Sequence, residues 1–70
     1  MNVPIPTYLV TLTITKEIDE DTVSTGTGSI EVPSFMGGDA AGRRAKWSAV
    51  ASGWGDVDEV EVQSVELVSV

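Results

Sequence analysis

Apolar and polar side chains alternate along residues 7–15. The even positions form one apolar face, made of Tyr8, Val10, Leu12 and Ile14. The opposite face carries threonine at positions 11, 13 and 15. This period of two predicts a half-buried β-strand. The two prolines of residues 1–6 predict an extended lead-in, the charged residues 16–21 a turn, and residues 22–32 the returning strand of a hairpin.

The apolar pattern of the two strands also predicts the register of this hairpin. A three-residue loop at Asp19–Asp21 keeps their apolar side chains on one face, with Leu12 opposite Gly28 and Ile14 opposite Gly26. A slip by one residue would move the apolar side chains of the second strand to the threonine face. Glycines leave space above a sheet, so we expect an aromatic ring from elsewhere to cover Gly26 and Gly28.

One helix is predicted after the connection at residues 33–38. Asp39 is its expected N-cap and Gly53 its expected C′ residue. Trp47 and Val50 share one side of this helix. A second side carries only small residues, Ala41, Ala45 and Ala49. Either side could face the sheet, and we expect the one with Trp47 and Val50 to form the core.

Residues 57–70 predict the last strand. Val60 and Val62 lie in one phase of its alternation and Val65 and Leu67 in the other, which indicates a bulge or break near Gln63–Ser64. The element order β-β-α-β then predicts an α+β fold. Its three-stranded, mainly antiparallel sheet has the order 2-1-3 and one helix packed on one face. The threonine face is left to solvent or to a partner.

Composition limits the chemistry of this chain. Its 70 residues predict one small domain, with 4 basic and 11 acidic residues for a formal net charge of −7. It has neither histidine nor cysteine, which removes disulfides, Cys/His zinc sites and most nucleophile–base pairs. We therefore expect no enzyme activity and no cofactor. The negative charge also argues against direct binding of nucleic acid or anionic membranes.

Nine of the acidic residues cluster in two segments, the hairpin tip and the region of the last strand. Glu59 and Glu61 would lie roughly 6.6 Å apart on one face of a strand, the same order as the phosphate spacing of a nucleic-acid strand. One interpretation is a nucleic-acid mimic that binds a basic groove, and the other is a solvated surface that keeps the protein soluble. On the first interpretation, the partner-binding residues are Glu17, Asp19, Glu20, Asp21, Asp56, Asp58, Glu59, Glu61 and Trp54.

Three further features have competing interpretations. The carboxylates around Asp19 and Asp56 could bind calcium, but the EF-hand spacing is absent and we predict no metal site. The cluster Arg43–Lys46 holds three of the four bases, which either pair with nearby carboxylates or form one pole of a bipolar surface. Trp54 and Phe35 flank the helix ends, where a partly exposed ring would anchor a protein interface.

In size, acidity and element order, the chain resembles small bacteriophage proteins, and among those of known role the anti-CRISPR inhibitors. The segments that correspond are Tyr8–Thr15, Asp39–Ser52 and Asp56–Glu66. This resemblance implies an inhibitor that binds a CRISPR effector or another basic, nucleic-acid-handling protein in the host cytoplasm. The first fifteen residues are typical of neither a signal peptide nor a membrane span, which also predicts the cytoplasm.

The alternative function is a small structural module that works as a homodimer. Its interface would combine the threonine face, Leu9 and the valine-rich last strand. An unpaired edge strand that ends in Val68-Ser69-Val70 favours association with a second chain.

Overall fold

The structure, a computed structural model, describes residues 4–70. Half of the lead-in predicted at residues 1–6 therefore lies outside the described residues. The elements in chain order are β1 (Thr7–Glu17), β2 (Val23–Pro33), α1 (Gly38–Ala51) and β3 (Val60–Ser69). The strands form one antiparallel sheet in the order β2-β1-β3, with the helix on one face. The predicted α+β fold and strand order are confirmed.

The hairpin has the predicted register. Leu12 pairs with Gly28, and Ile14 pairs with Gly26. The N–H of Ile18 donates to the carbonyl of Thr22 over 2.9 Å, which closes the loop at residues 19–21. This register holds because it puts the apolar side chains at the even positions of β1, Tyr8 to Ile14, on the helix side and the threonines on the open face.

The last strand has the predicted irregularity. Thr11 pairs with Ser64 and Leu12 with Val62, so Gln63 is an extra residue and forms a bulge. A second register shift, not predicted from the sequence, leaves Val68 without a partner on β1. The bulge at Gln63 lets Val62 and Val65, which lie in opposite phases of the alternation, both face the helix at Gly42.

The predicted start of the last strand at residue 57 was wrong, because residues 57–59 form a turn. The carbonyl of Asp56 accepts hydrogen bonds from the N–H groups of Glu59 and Val60, at 2.9 and 3.2 Å. The carboxylate of Glu59 in turn accepts the N–H of Asp56 at 2.8 Å. The bond from the N–H of Asp56 to Glu59 is the one that the glutamate of a capping box accepts, and together these bonds hold the chain in a turn.

The helix ends where predicted but begins earlier. Gly37 is the N-cap, with φ of 90°, so the expectation that Asp39 caps the helix was wrong. Asp39 lies in the first turn, where its negative charge interacts favourably with the positive end of the helix dipole. At the other end Gly53 occupies the predicted C′ position, with φ of 84°. The N–H of Trp54 donates to the carbonyl of Ala49 at 3.0 Å, as in a Schellman motif.

The helix packs on the sheet mainly through its small side chains. Of the two residues expected in the core, Val50 packs against it, whereas the expectation for Trp47 was wrong. The alanines that face the sheet are fully buried: Ala41, Ala45 and Ala49. Trp47 is 60% exposed on the opposite side of the helix. The sheet supplies the bulk of the core through Val10, Leu12 and Val60, so only small helix residues leave room for close approach.

The predicted aromatic cover of the two glycines is half confirmed. The indole of Trp54 lies over Gly28, whereas nothing lies within 4 Å of a Cβ built on Gly26. Beyond this point the hairpin is uncovered, and residues 15–27 are all exposed. The molecule is accordingly elongated, with dimensions of 55 × 18 × 15 Å.

Candidate protein-binding site

An acidic groove lies beside the start of β3, with a volume of about 510 Å³. It is lined by one hydroxyl and five carboxylates, from Thr15, Glu17, Asp56, Asp58, Glu59 and Glu61. Five of the nine residues predicted for partner binding therefore come together in one place. Thr15, which was not among the predicted site residues, also lines the groove.

Three separate segments build this acidic groove. Glu17 follows Thr15 on the threonine face of β1, two residues further toward the hairpin tip. Glu61 pairs with Thr13 and so belongs to the same face of the sheet. The turn at residues 56–59 is joined to β1 by a hydrogen bond of 3.0 Å from the N–H of Thr15 to the carbonyl of Glu59.

The carboxylates of the groove are not equivalent. Glu59 is half-buried, and its Oε1 accepts the N–H of Asp56, so this side chain also holds the turn. Asp58 and Glu61 are exposed. The expected in-strand spacing of Glu59 and Glu61 does not apply, because β3 begins at Val60.

The remaining predicted site residues lie outside the groove. Glu20 and Asp21 belong to the exposed hairpin tip. Asp19 shares that tip, and its Oδ1 accepts the N–H of Asp21 at 2.9 Å. This hydrogen bond, with support from Thr22, lowers the pKa of Asp19 below its usual value. Trp54 is half-buried, and its ring lies over Gly28 rather than in the groove.

The acidic and the basic side chains of the molecule lie on different parts of its surface. Among the described residues, those that line the groove include no lysine or arginine. Three of the four bases are on α1, namely Arg43, Arg44 and Lys46. One of them, Arg44, donates from Nη1 to the carbonyl of Pro33 over 2.9 Å. The acidic groove is therefore not neutralised by side chains of its own lining.

A second, smaller depression of about 270 Å³ lies between the start of α1 and β3. Its lining combines valines with the first turns of the helix: Gly38, Asp39, Gly42, Arg43, Val62 and Val65. Within residues 4–70, no group of three or more Asp, Glu, His or Cys side chains is placed to hold a metal ion. In that same range, no helix is long and apolar enough to cross a membrane.

No protein-family model matches this chain, and neither the curated proteins nor the solved structures contain a significant match. The resemblance to anti-CRISPR inhibitors therefore stays a prediction. The geometry and charge of the acidic groove are the observations that bear on function.

Proposed function

We propose that this protein is a non-enzymatic ligand of another protein and binds a basic, nucleic-acid-binding surface through the acidic groove. The bound chain blocks that surface and keeps nucleic acid from it. The target class that the sequence resemblance suggests is a CRISPR effector complex in the cytoplasm of a bacterial host.

The observation on which this proposal rests is the convergence of five carboxylates on one groove whose lining has no base. Acidic residues that served only solubility would gain nothing from being gathered, because like charges repel one another. The turn at residues 56–59 is instead fixed by hydrogen bonds and sets its carboxylates beside the end of β1. An uncompensated anionic groove is complementary to the lysines and arginines that bind phosphates.

Binding is favoured over catalysis by the chemistry of the lining. The groove offers carboxylates and one threonine hydroxyl, without an imidazole or a thiol. The threonine hydroxyl therefore has no imidazole to activate it as a nucleophile. The lining has hydrogen-bond acceptors and charge, the two properties that recognition of guanidinium and ammonium groups needs.

The groove variant that tests this proposal is Asp58→Lys with Glu61→Lys. Both side chains are exposed, whereas Glu59 also stabilises the turn and is left unchanged. The matched control is Glu31→Lys with Glu66→Lys, which lie opposite Leu9 on the same face of the sheet but outside the groove. Each pair replaces two acids with lysine and changes the formal net charge of −7 by the same amount.

The immobilised wild-type chain and both variants are exposed to a bacterial lysate at low and high salt, and the captured proteins are identified by mass spectrometry. We expect the wild type and the control to capture the same nucleic-acid-binding proteins at low salt and to lose them at high salt. The groove variant should capture none of them. Equal capture by the groove variant, or capture that salt does not weaken, contradicts the proposal.

A further inference from the structure

The two edges of the sheet differ in how they are protected against pairing. The outer edge at β3 is interrupted by bulges at Gln63 and Val68 and bears Glu61 and Glu66. Bulges and charges are the usual devices that prevent an edge from adding a further strand. The outer edge at β2 is less protected: its 11 residues pair with β1 without a register shift, and they include a single charge, Glu31, near one end.

The hydrogen bonds of the hairpin show which backbone groups of β2 face outward. Ile18 bonds to Thr22 at one end of the ladder, and Ser34 bonds to Pro6 at the other. Directly bonded pairs alternate with non-bonded pairs in an antiparallel ladder, so the even-numbered residues of β2 bond to β1. The N–H and C=O groups of the odd-numbered residues therefore point away from the sheet, and along residues 23–31 all of these positions can donate and accept.

We propose that this edge pairs with the same edge of a second copy of the chain, antiparallel, with Thr27 on the two-fold axis. The product is a continuous six-stranded sheet that carries both helices on one face. Two-fold symmetry makes the contact self-complementary, because each outward N–H of one copy meets an outward carbonyl of the other.

The ends of the strand select this register. The carbonyl of Pro33 is already occupied by Arg44, and Pro33 has no N–H, so pairing stops before it. Centring on Thr27 pairs residues 23–31 with residues 31–23 of the second copy. Glu31 then lies opposite Val23 of that copy, so no two carboxylates face each other along the new ladder.

The same register accounts for the open space above Gly26. Gly26 and Gly28 point to the helix side of the sheet, but Trp54 covers only Gly28. In the pair, each Gly26 lies directly opposite Gly28 of the other copy. The indole that covers Gly28 of one copy then lies next to the open space above Gly26 of the other copy. The two indoles, related by the two-fold axis, therefore cover the helix side of the interface.

This interface differs from the homodimer interface expected from the sequence, and it does not depend on the acidic groove. The earlier expectation used the threonine face with Leu9 and the last strand. Leu9 lies between Glu31 and Glu66 on its two neighbouring strands, and the edge at β3 has two bulges. Charge and geometry thus favour the edge at β2.

The test is sedimentation equilibrium of the wild-type chain and variants from low to high micromolar concentration. Thr25→Lys with Ser29→Lys places lysines opposite each other at two points of the joint, since residue 25 faces residue 29 of the second copy. The matched control, Ser64→Lys with Ser69→Lys, adds the same charge to the other edge. We expect a monomer–dimer equilibrium for the wild type and the control, and a dissociation constant raised about tenfold or more in the β2 variant.

A third variant, Gly26→Val, tests the register. Its side chain has free space in the single chain, so circular dichroism should show an intact fold. In the dimer it would occupy the space beside the partner's indole, so the association should weaken. A wild type that stays monomeric throughout, or a dimer that the control weakens and the β2 variant does not, overturns the proposal. A dimer that tolerates Gly26→Val overturns the register centred on Thr27.

Discussion

The indole of Trp54 lies directly on the backbone of Gly28: a Cβ built on Gly28 would be 2.5 Å from Cζ3 of the ring. A real Cβ does not approach a carbon this closely. The Schellman motif at the end of α1 fixes the backbone of Trp54 and so delivers the ring to this position. One glycine in the middle of β2 thus admits the ring that closes the end of the core.

This relationship predicts opposite effects for alanine at the two glycines of β2. Gly28→Ala should lower the free energy of unfolding by about 1–3 kcal/mol, because the new methyl group collides with Trp54. Gly26→Ala should leave it unchanged or raise it by about 0.5–1 kcal/mol, since alanine restricts the unfolded chain and meets nothing at this position. Urea denaturation at low protein concentration measures both. Equal losses in the two variants would mean that the ring does not lie on Gly28.

The two tryptophans should contribute very differently to stability. Trp54→Ala removes a half-buried ring that packs against the core and should cost about 2–4 kcal/mol. Trp47→Ala removes a ring that is 60% exposed and should change stability by less than about 0.5 kcal/mol. Urea denaturation of both variants measures these changes in stability. The red-shifted part of the tryptophan fluorescence, which comes from the exposed ring, should vanish in Trp47→Ala. A large loss of stability in Trp47→Ala would place that side of the helix in the core after all.

Close packing of the helix makes its alanines sensitive to size. Ala45→Leu forces extra bulk between α1 and a sheet face that already carries Val10 and Leu12, and should cost about 1–3 kcal/mol or more. Ala51→Leu makes the same change on an exposed position of the same helix and should be nearly neutral. Thermal unfolding of the two variants gives the comparison. Similar midpoints for both would contradict the close approach of helix and sheet.

The pKa of Asp19 offers a check on the hairpin tip. The hydrogen bond from the N–H of Asp21, with help from Thr22, should give Asp19 a titration midpoint below 3.8 in carboxyl NMR. Because the pKa of Asp19 is lower in the folded than in the unfolded chain, the ionised carboxylate stabilises the fold at pH values above the pKa of the unfolded chain. This contribution is lost as the pH falls through the pKa of the folded chain. Thr22→Val should move the midpoint back toward 3.8. A midpoint at or above 3.8 in the wild type would show that the tip does not hold this carboxylate.

The sequence was sufficient for the hairpin because its alternation admits one register. A slip in either direction would have buried threonines, which made the pairing of β1 with β2 predictable. The strand order followed from the order of the elements, and the bulge at Gln63 from the change of phase between Val62 and Val65. The side of the helix that packs against the sheet could not be predicted in this way. Trp47 and Ala45 both lie on sides compatible with burial, and the choice depends on how much volume the sheet already fills, which local patterns do not encode.

The acidic groove was predictable in composition but not in shape. The two acidic segments stand out in the sequence, yet the alternation predicts strand for residues 57–59, which belong to the turn. The spacing of Asp56 and Glu59, which matches a capping box, was the available sign of a turn. Glu17 lines the groove with this turn because the turn is bonded to β1 at Thr15, two residues away, whereas Asp19 and its neighbours lie further along the hairpin.

The most direct test of the account is competition between this chain and nucleic acid for a protein captured through the acidic groove. The purified partner is bound to labelled nucleic acid, and the wild type, the Asp58→Lys/Glu61→Lys variant and the Glu31→Lys/Glu66→Lys control are titrated against that complex. We predict that the wild type and the control release the nucleic acid, with a potency that falls as salt rises, and that the groove variant does not. A ternary complex of partner, nucleic acid and wild-type chain, or release by the groove variant at the wild-type concentration, would contradict the proposed function.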